Sequence, residues 1–280
     1  MLGTAFPAPR ILLVEQPGSW GPAGLAESQF DPALAAQLID QLGRRNVRVL
    51  AIRRPGRAPA PERRSWGFAD CRPGRQQLSW GSFAEDRELL ALSFDTVPAG
   101  AAIERRPIYA VCAHGVHDMC CAIEGRPVAA ALDRLCPGRG WECSHVGGDR
   151  FAANVLILPS GQQYGRVSEV AELVAATEAG RVLPDLLRGQ VGLPAPVQAA
   201  LVHVQRELGF DAVDQLRLLA STPADDGSQL IRLATPAGEI TVAVQRETGP
   251  PTRLTCRASG PRTPLSYRPL WLRSAGSTSG

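Results

Sequence analysis

The sequence predicts an α/β fold built from two similar halves and a small α+β unit. Three observations carry that expectation. Strand-type and helix-type apolar patterns follow the order β-α-β-β-β-α over residues 1–105, and nearly the same order returns over residues 106–180. Beyond residue 180, amphipathic helices give way to a run of alternating strands. A chain of 280 residues can bury such a core without disulfide support.

In the first half, "ILLVEQ" (11–16) is an apolar run of strand length, and "PGSWGPAG" after it is a Gly/Pro loop. "FDPALAAQLIDQLGRRN" carries helix-start signals: Asp31 as cap, Pro32 at the first helical position, and Phe30 placed to staple onto the first turn. "VRVLAIRR" (47–54) is a strand and "RAPAPERR" a loop. "SWGFADC" and "QQLSWGSFA" alternate as a strand pair, and "EDRELLALSF" closes the half as a short helix.

In the second half, "RPIYAVC" is a strand ending on Cys112. "HDMCCAIEGRPVAAALDRL" is a helix capped by Asp118, and Pro127 should kink it or start its second part. "GWECSH" is a strand ending near His145. "AANVLILP" and "QQYGRVSE" form a hairpin across Ser160–Gly161, and "EVAELVAATEAG" is a helix stopping at Gly180. Further on, "VLPDLLRG" and "APVQAALVHVQRELG" read as helices. "QLRLLAS", "SQLIRLAT", "EITVAVQRE" and "TRLTCRA" read as strands of an antiparallel sheet, and the tail "RSAGSTSG" reads as disordered. A βαβ unit continued by ββα is the order of a thioredoxin-like core, which both halves fit. The expected divisions are therefore an α/β lobe at 1–105, a site-bearing domain at 106–180 and an α+β domain at 181–280.

Composition narrows the function classes. The net charge of +3 is too small to argue for nucleic acid, and all thirty basic residues are arginine, which marks a coding bias rather than a binding surface. The N-terminal stretch lacks a basic n-region and has an apolar run of only four residues, Ile11–Val14, so neither a signal peptide nor a membrane anchor is expected. A cytoplasmic location is the expectation, and there clustered cysteines bind metal or do redox chemistry more often than they form disulfides.

That clustering is dense in "CAHGVHDMCC" (112–121), which holds three of the seven cysteines and two of the four histidines. Cys112 at a strand end and Cys120 and Cys121 at a helix start favour thiolate, because helix N-terminal amides stabilise an anion. Adjacent residues cannot easily face one metal, so one of Cys120 and Cys121 ligates and the other does not. A second stretch, "WECSHVGGDRFAAN" (141–154), places Cys143 and His145 on one strand face and Asp149 four residues on. Gly147 and Gly148 let the backbone turn tightly against a bulky group and are candidate cofactor-binding residues.

The two stretches "CAHGVHDMCCAIEGRPVAAAL" and "ECSHVGGDRFAANVLILPSGQQYGRV", with "VEQPGSWG" and "VRVLAIRRPGR", resemble the sucrase/ferredoxin-like family over about residues 11–180. The resemblance implies a thioredoxin-like fold that holds a [2Fe-2S] cluster and exchanges electrons with donor and acceptor proteins. The repeated β-α-β-β-β-α order and the lack of ligand residues in 1–105 make the N-terminal lobe an expected cluster-free repeat. The family's Cys-x8-Cys pair falls on Cys112 and Cys121. Its His-x3-His pair falls on His145 and Asp149, a departure at the fourth ligand. Cys143 and Asp149 compete for that position: iron–sulfur chemistry prefers the thiolate, and the family spacing prefers the aspartate. Either choice gives three anionic ligands and one imidazole.

Other readings stand beside these. Cys112, Cys120 and Cys121 could serve a thiol–disulfide oxidoreductase, although no Cys-x-x-Cys is present, or the site could hold structural zinc. No paired-carboxylate arrangement supports a glycosidase, and a redox carrier fits better than a substrate-converting enzyme. His114 and His117 are assigned to loop capping or the surface, and Cys71, Cys136, Cys256 and Trp141 to packing. Arg150, Tyr164 and Arg166 fit either a partner-docking surface or a solvated one.

Overall fold

The structure, a computed structural model, describes residues 1–56, 61–255 and 258–274. Its first half runs through β1 (Arg10–Glu15), α1 (Pro32–Gly43), β2 (Val47–Arg53), β3 (Arg64–Asp70), β4 (Gln77–Phe83), a 3-10 turn over Asp86–Ala91 and β5 (Ala102–Glu104). The second runs through β6 (Ile108–Cys112), α2 (Met119–Leu135), β7 (Gly140–Cys143), β8 (Val155–Leu158), β9 (Gln162–Tyr164), α3 (Val170–Glu178) and β10 (Leu187–Gln190). Then come α4 (Ala195–Leu208), β11 (Arg217–Pro223), β12 (Gln229–Thr235), β13 (Gly238–Thr248) and β14 (Leu265–Ser274).

Strand pairing is the same in both halves. β1 runs parallel to β2 and antiparallel to β3, which pairs antiparallel with β4. β6 runs parallel to β7 and antiparallel to β8, which pairs antiparallel with β9. Each half is thus a βαβ unit continued by a hairpin. The halves join where β2 meets β7 antiparallel, Ile52 opposite Cys143 and Arg53 opposite Glu142. One sheet results among the described residues, in the order β10-β9-β8-β6-β7-β2-β1-β3-β4-β5, and the fold is α/β with two lobes.

That sheet curls. Trp141 on β7 and Trp80 on β4 are four strands apart in the order, about 19 Å on a flat sheet. Their rings nevertheless stack with centroids 5.4 Å apart. Period-two alternation assigns each strand's two faces to different layers. Ile11 and Leu13 of β1, Ala110 and Cys112 of β6, and Trp141 and Cys143 of β7 face the inside of the curl. Leu12 and Val14 face the α1 side, while Tyr109 and Val111 face α2 and α3. Cys112 therefore points inward because it lies two residues beyond Ala110 on the same strand face.

The helices start as the sequence predicts. Asp31 accepts from the backbone N–H of Ala33 at 2.9 Å and of Leu34 at 3.0 Å. Asp118 accepts from the N–H of Cys120 at 3.4 Å. α2 buries Cys121, Gly125, Val128, Ala129 and Leu132, one stripe at helical spacing, and it continues unbroken through Pro127. The carbonyl left unpaired four residues before Pro127 belongs to Ile123, which is 61% exposed and so can be met by water.

Two expected elements differ. "VLPDLLRG" is a turn followed by β10, not a helix: Pro184 interrupts a segment too short to nucleate one, and β9 offers an open edge that β10 completes. The main sheet therefore extends past residue 180 to Gln190. "TRLTCRA" is not a strand over its described residues. Thr252 makes an isolated bridge to Arg262, and the partner of β13 is β14. Cys256 and residues 275–280 of the expected tail lie outside the described residues, whereas Arg273 and Ser274, expected to be disordered, end β14 paired with β13. The second sheet, β11-β12-β13-β14, packs on α4 through Val197, Ala200 and Val204 against Ile231, Leu233 and Val242. No described helix is long and apolar enough to cross a membrane.

Candidate metal centre

The site forms where the C-terminal ends of β6 and β7 meet the start of α2. Cys112 is the last residue of β6 and pairs in register with Cys143, the last of β7. α2 begins seven residues later and reaches back because Gly125 allows it: a Cβ at 125 would overlap the carbonyl oxygen of Cys112. Gly125 lies one turn beyond Cys121 on the same helix face, so this backbone contact brings the Cys121 sulfur beside that of Cys112.

The ligand atoms of Cys112, Cys121 and His145 all lie within 4.8 Å of one another, and so do those of His117, His145 and Asp149. The two groups share His145. Asp149 Oδ1 is 3.2 Å from Cys121 Sγ and 3.0 Å from His145 Nδ1. Asp149 Oδ2 is buried without a partner, and His145 Nδ1 lacks an aligned hydrogen bond. Cys143 stands outside both groups. It is fully buried, and burial together with the Cys112 charge pushes its thiol up. Cys120 is half-buried and turned aside, its sulfur 3.0 Å from Asp118 Oδ1 and 3.7 Å from the Asp149 carbonyl.

Electrostatics sort the thiols. The Cys121 thiol donates to Cys112, and this, with His145 as a further donor, overcomes the cost of burial and holds Cys112 well below the ordinary thiol range. The same hydrogen bond, with burial, pushes Cys121 up. Burial works against a charged His145, but Asp149 and Cys112 outweigh it and raise the imidazole to about 9. Burial lowers His114. The neutral His114 ring takes the N–H of His145 on Nδ1 at 3.2 Å and gives Nε2–H to the Gly21 carbonyl at 2.9 Å, an assignment fixed by the donor.

The loop from His145 to Asp149 is pinned at three successive carbonyls. Gln163 Nε2 donates to Val146 at 3.0 Å, Arg188 Nη1 to Gly147 at 2.8 Å, and Asn154 Nδ2 to Gly148 at 3.0 Å. Arg188 is fully buried and also donates to Asn154 Oδ1 at 2.6 Å and to the carbonyl of Thr4. Gly147 and Gly148 have φ of 74° and 78°. The bulky group against Gly148 is the Arg188 guanidinium, which a Cβ there would overlap.

The sequence-predicted residues Cys112, Cys121, His145 and Asp149 are thus brought together, and Cys143 is near without joining them. Sequence reading missed His117 as a site residue, and missed Gly125, Asn154, Gln163 and Arg188 altogether. Only Gly125 carries a local signal, its spacing of four from Cys121. Two thiols, an imidazole and buried carboxylate and imidazole atoms without partners make a donor set that fits a thiophilic metal or an iron–sulfur cluster.

The family model described as sucrase/ferredoxin-like matches residues 3–189, which ends within β10 just past Arg188. The chain has no match among curated proteins and none among solved structures.

Proposed function

The chain belongs to the sucrase/ferredoxin-like family, and from that membership and the geometry we propose that it is an electron-transfer protein carrying a [2Fe-2S] cluster. The observation that carries this reading is the pair of ligand groups that overlap at His145, an arrangement more extended than a single ion needs. Bound there, the cluster would supply one-electron exchange.

The chain's own residues supply the rest. Cys112 and Cys121 hold one end from the rigid ends of a strand and a helix. His145 and one of His117 and Asp149 hold the other. Both sulfurs lie on residues only 1% exposed, whereas the His145 side chain is 20% exposed. The imidazole edge is therefore the route in and out for electrons. It opens on a cleft of about 420 Å³ bordered by His114, His117, Ile39 and Arg48, where a donor or acceptor protein would dock. Of the described cysteines none is paired, which fits a reducing, cytoplasmic setting.

A thiol–disulfide role is favoured by the Cys112 thiolate beside Cys121. It is disfavoured by the burial of both sulfurs, since exchange needs access to a second disulfide. Structural zinc is the remaining competitor, because Cys112, Cys121 and His145 are also close enough for one ion.

Visible absorption of anaerobically prepared variants tests the reading. Wild type should be red-brown, Cys112→Ser and Cys121→Ser colourless, and Cys120→Ser coloured. A colourless, zinc-loaded wild type would refute the cluster. Colour kept in Cys121→Ser and lost in Cys120→Ser would reverse the ligand assignment.

A further inference from the structure

Resting on that reading, we infer that His117 is the fourth ligand and that Asp149 positions His145 instead of binding the metal. The site would then be held by two cysteines and two histidines.

His117 is built to present an imidazole. Its N–H and that of Asp118 both donate to the His114 carbonyl, at 3.1 and 3.0 Å, closing a tight turn between β6 and α2. Its Nδ1 lies 3.1 Å from the Pro22 carbonyl. A carbonyl can only accept, so Nδ1 carries the proton and Nε2 keeps its lone pair. The ring lies face to face with His145, centroids 3.9 Å apart and planes 21° from parallel. One ring nitrogen of each, with an oxygen of Asp149, lies within 4.8 Å of the others in the second ligand group.

Asp149 is engaged through Oδ1, which contacts both His145 Nδ1 and Cys121 Sγ, while its Oδ2 is buried without a partner. A ligating histidine commonly has its second ring nitrogen held by a carboxylate or a backbone carbonyl. Here the Pro22 carbonyl holds His117 Nδ1, and Asp149 Oδ1 faces His145 Nδ1 at 3.0 Å, while His145 Nε2 takes the N–H of Gly147 at 3.1 Å. Donor preference agrees, because sulfide-bridged iron takes thiolate and imidazole more readily than carboxylate.

The assignment gives the first lobe a role. Its Gly21–Gly24 turn, closed by a bridge between those two residues, supplies the carbonyls that orient His114 and His117. Replacing an anionic ligand by an imidazole also makes the site one charge less negative, which raises the reduction potential.

The test counts histidine nitrogens coupled to the reduced, paramagnetic cluster by pulsed EPR. Wild type should show two strongly coupled imidazole nitrogens. His117→Ala should lose one, and Asp149→Asn should keep both with altered couplings. His117→Cys should keep a cluster with one nitrogen and a lower potential. A single nitrogen in the wild type, or two in His117→Ala, overturns the inference and returns the position to Asp149. Iron and sulfide content separately decides whether a cluster is bound at all. If it is not, the same count on the Co(II)-loaded protein decides His117: two nitrogens falling to one in His117→Ala supports the assignment, and an unchanged count overturns it.

Discussion

Gly125 of α2 lies directly against the carbonyl oxygen of Cys112, with no room for a side chain between them. This contact sets the spacing of the two sulfurs, because Cys121 sits one turn back on the same face. Gly125→Ala must push the helix off a backbone atom that cannot rotate away. Overpacking of this kind costs about 1–3 kcal/mol, more than the roughly 1 kcal/mol that alanine gains over glycine in a helix. The expected outcome is a folded protein with a lowered melting temperature and little or no chromophore, measured by circular dichroism and visible absorption. Full colour in Gly125→Ala would show that the helix can shift without separating the thiols.

Arg188 should be as important to the site as a ligand, without touching metal. Arg188→Met leaves the carbonyls of Gly147 and Thr4 and the Asn154 Oδ1 without their donor. Each buried acceptor left unpaired costs about 1–3 kcal/mol, so a loss of about 3 kcal/mol or more is expected in chemical denaturation. Variants that fold should give broadened EPR lines, because the His145–Asp149 loop would sample several positions. Gln163→Ala, which frees the Val146 carbonyl and the Phe6 N–H but no contact of Gly147, should show the same effect more weakly.

The metal-free protein should be pH-sensitive through His145. Its imidazole is raised to about 9 by Asp149 and Cys112 against the pull of burial. A raised folded-state pKa means the folded state holds its proton more tightly than the unfolded chain, whose histidine titrates near ~6.5. The stabilisation is therefore complete below that unfolded value and is lost as pH rises through about 9. Melting temperatures of metal-free wild type and His145→Gln should differ most at pH 6 and converge above pH 9. A constant difference across that range would show that His145 does not carry the charge.

Much of the site was legible in the sequence because its signals are local. A strand ending on Cys112, a cap at Asp118 and the spacing to Cys121 all lie within one stretch. His145 and Asp149 follow a strand end and lie near it in the fold for the same reason. What was not legible depends on the curl and on distant pairing. Arg188 comes from a segment whose apolar spacing suits a helix and which becomes a strand only because β9 offers an edge. Gln163 and Asn154 reach the loop from the β8–β9 hairpin, and nothing in their own neighbourhoods marks them. His117 read as a surface loop residue because its partner, the Pro22 carbonyl, lies 95 residues away in the other lobe. Cys143 looked the better ligand by atom type; it faces into the curl beside Cys112 but stands outside both ligand groups.

The most direct measurement is the iron and acid-labile sulfide content of the anaerobically purified wild-type chain, with zinc determined on the same sample. Two irons and two sulfides per chain, with zinc absent, is the expected result. One zinc per chain with no sulfide, or free thiols with no metal, would contradict the assignment of this site to an electron-carrying cluster.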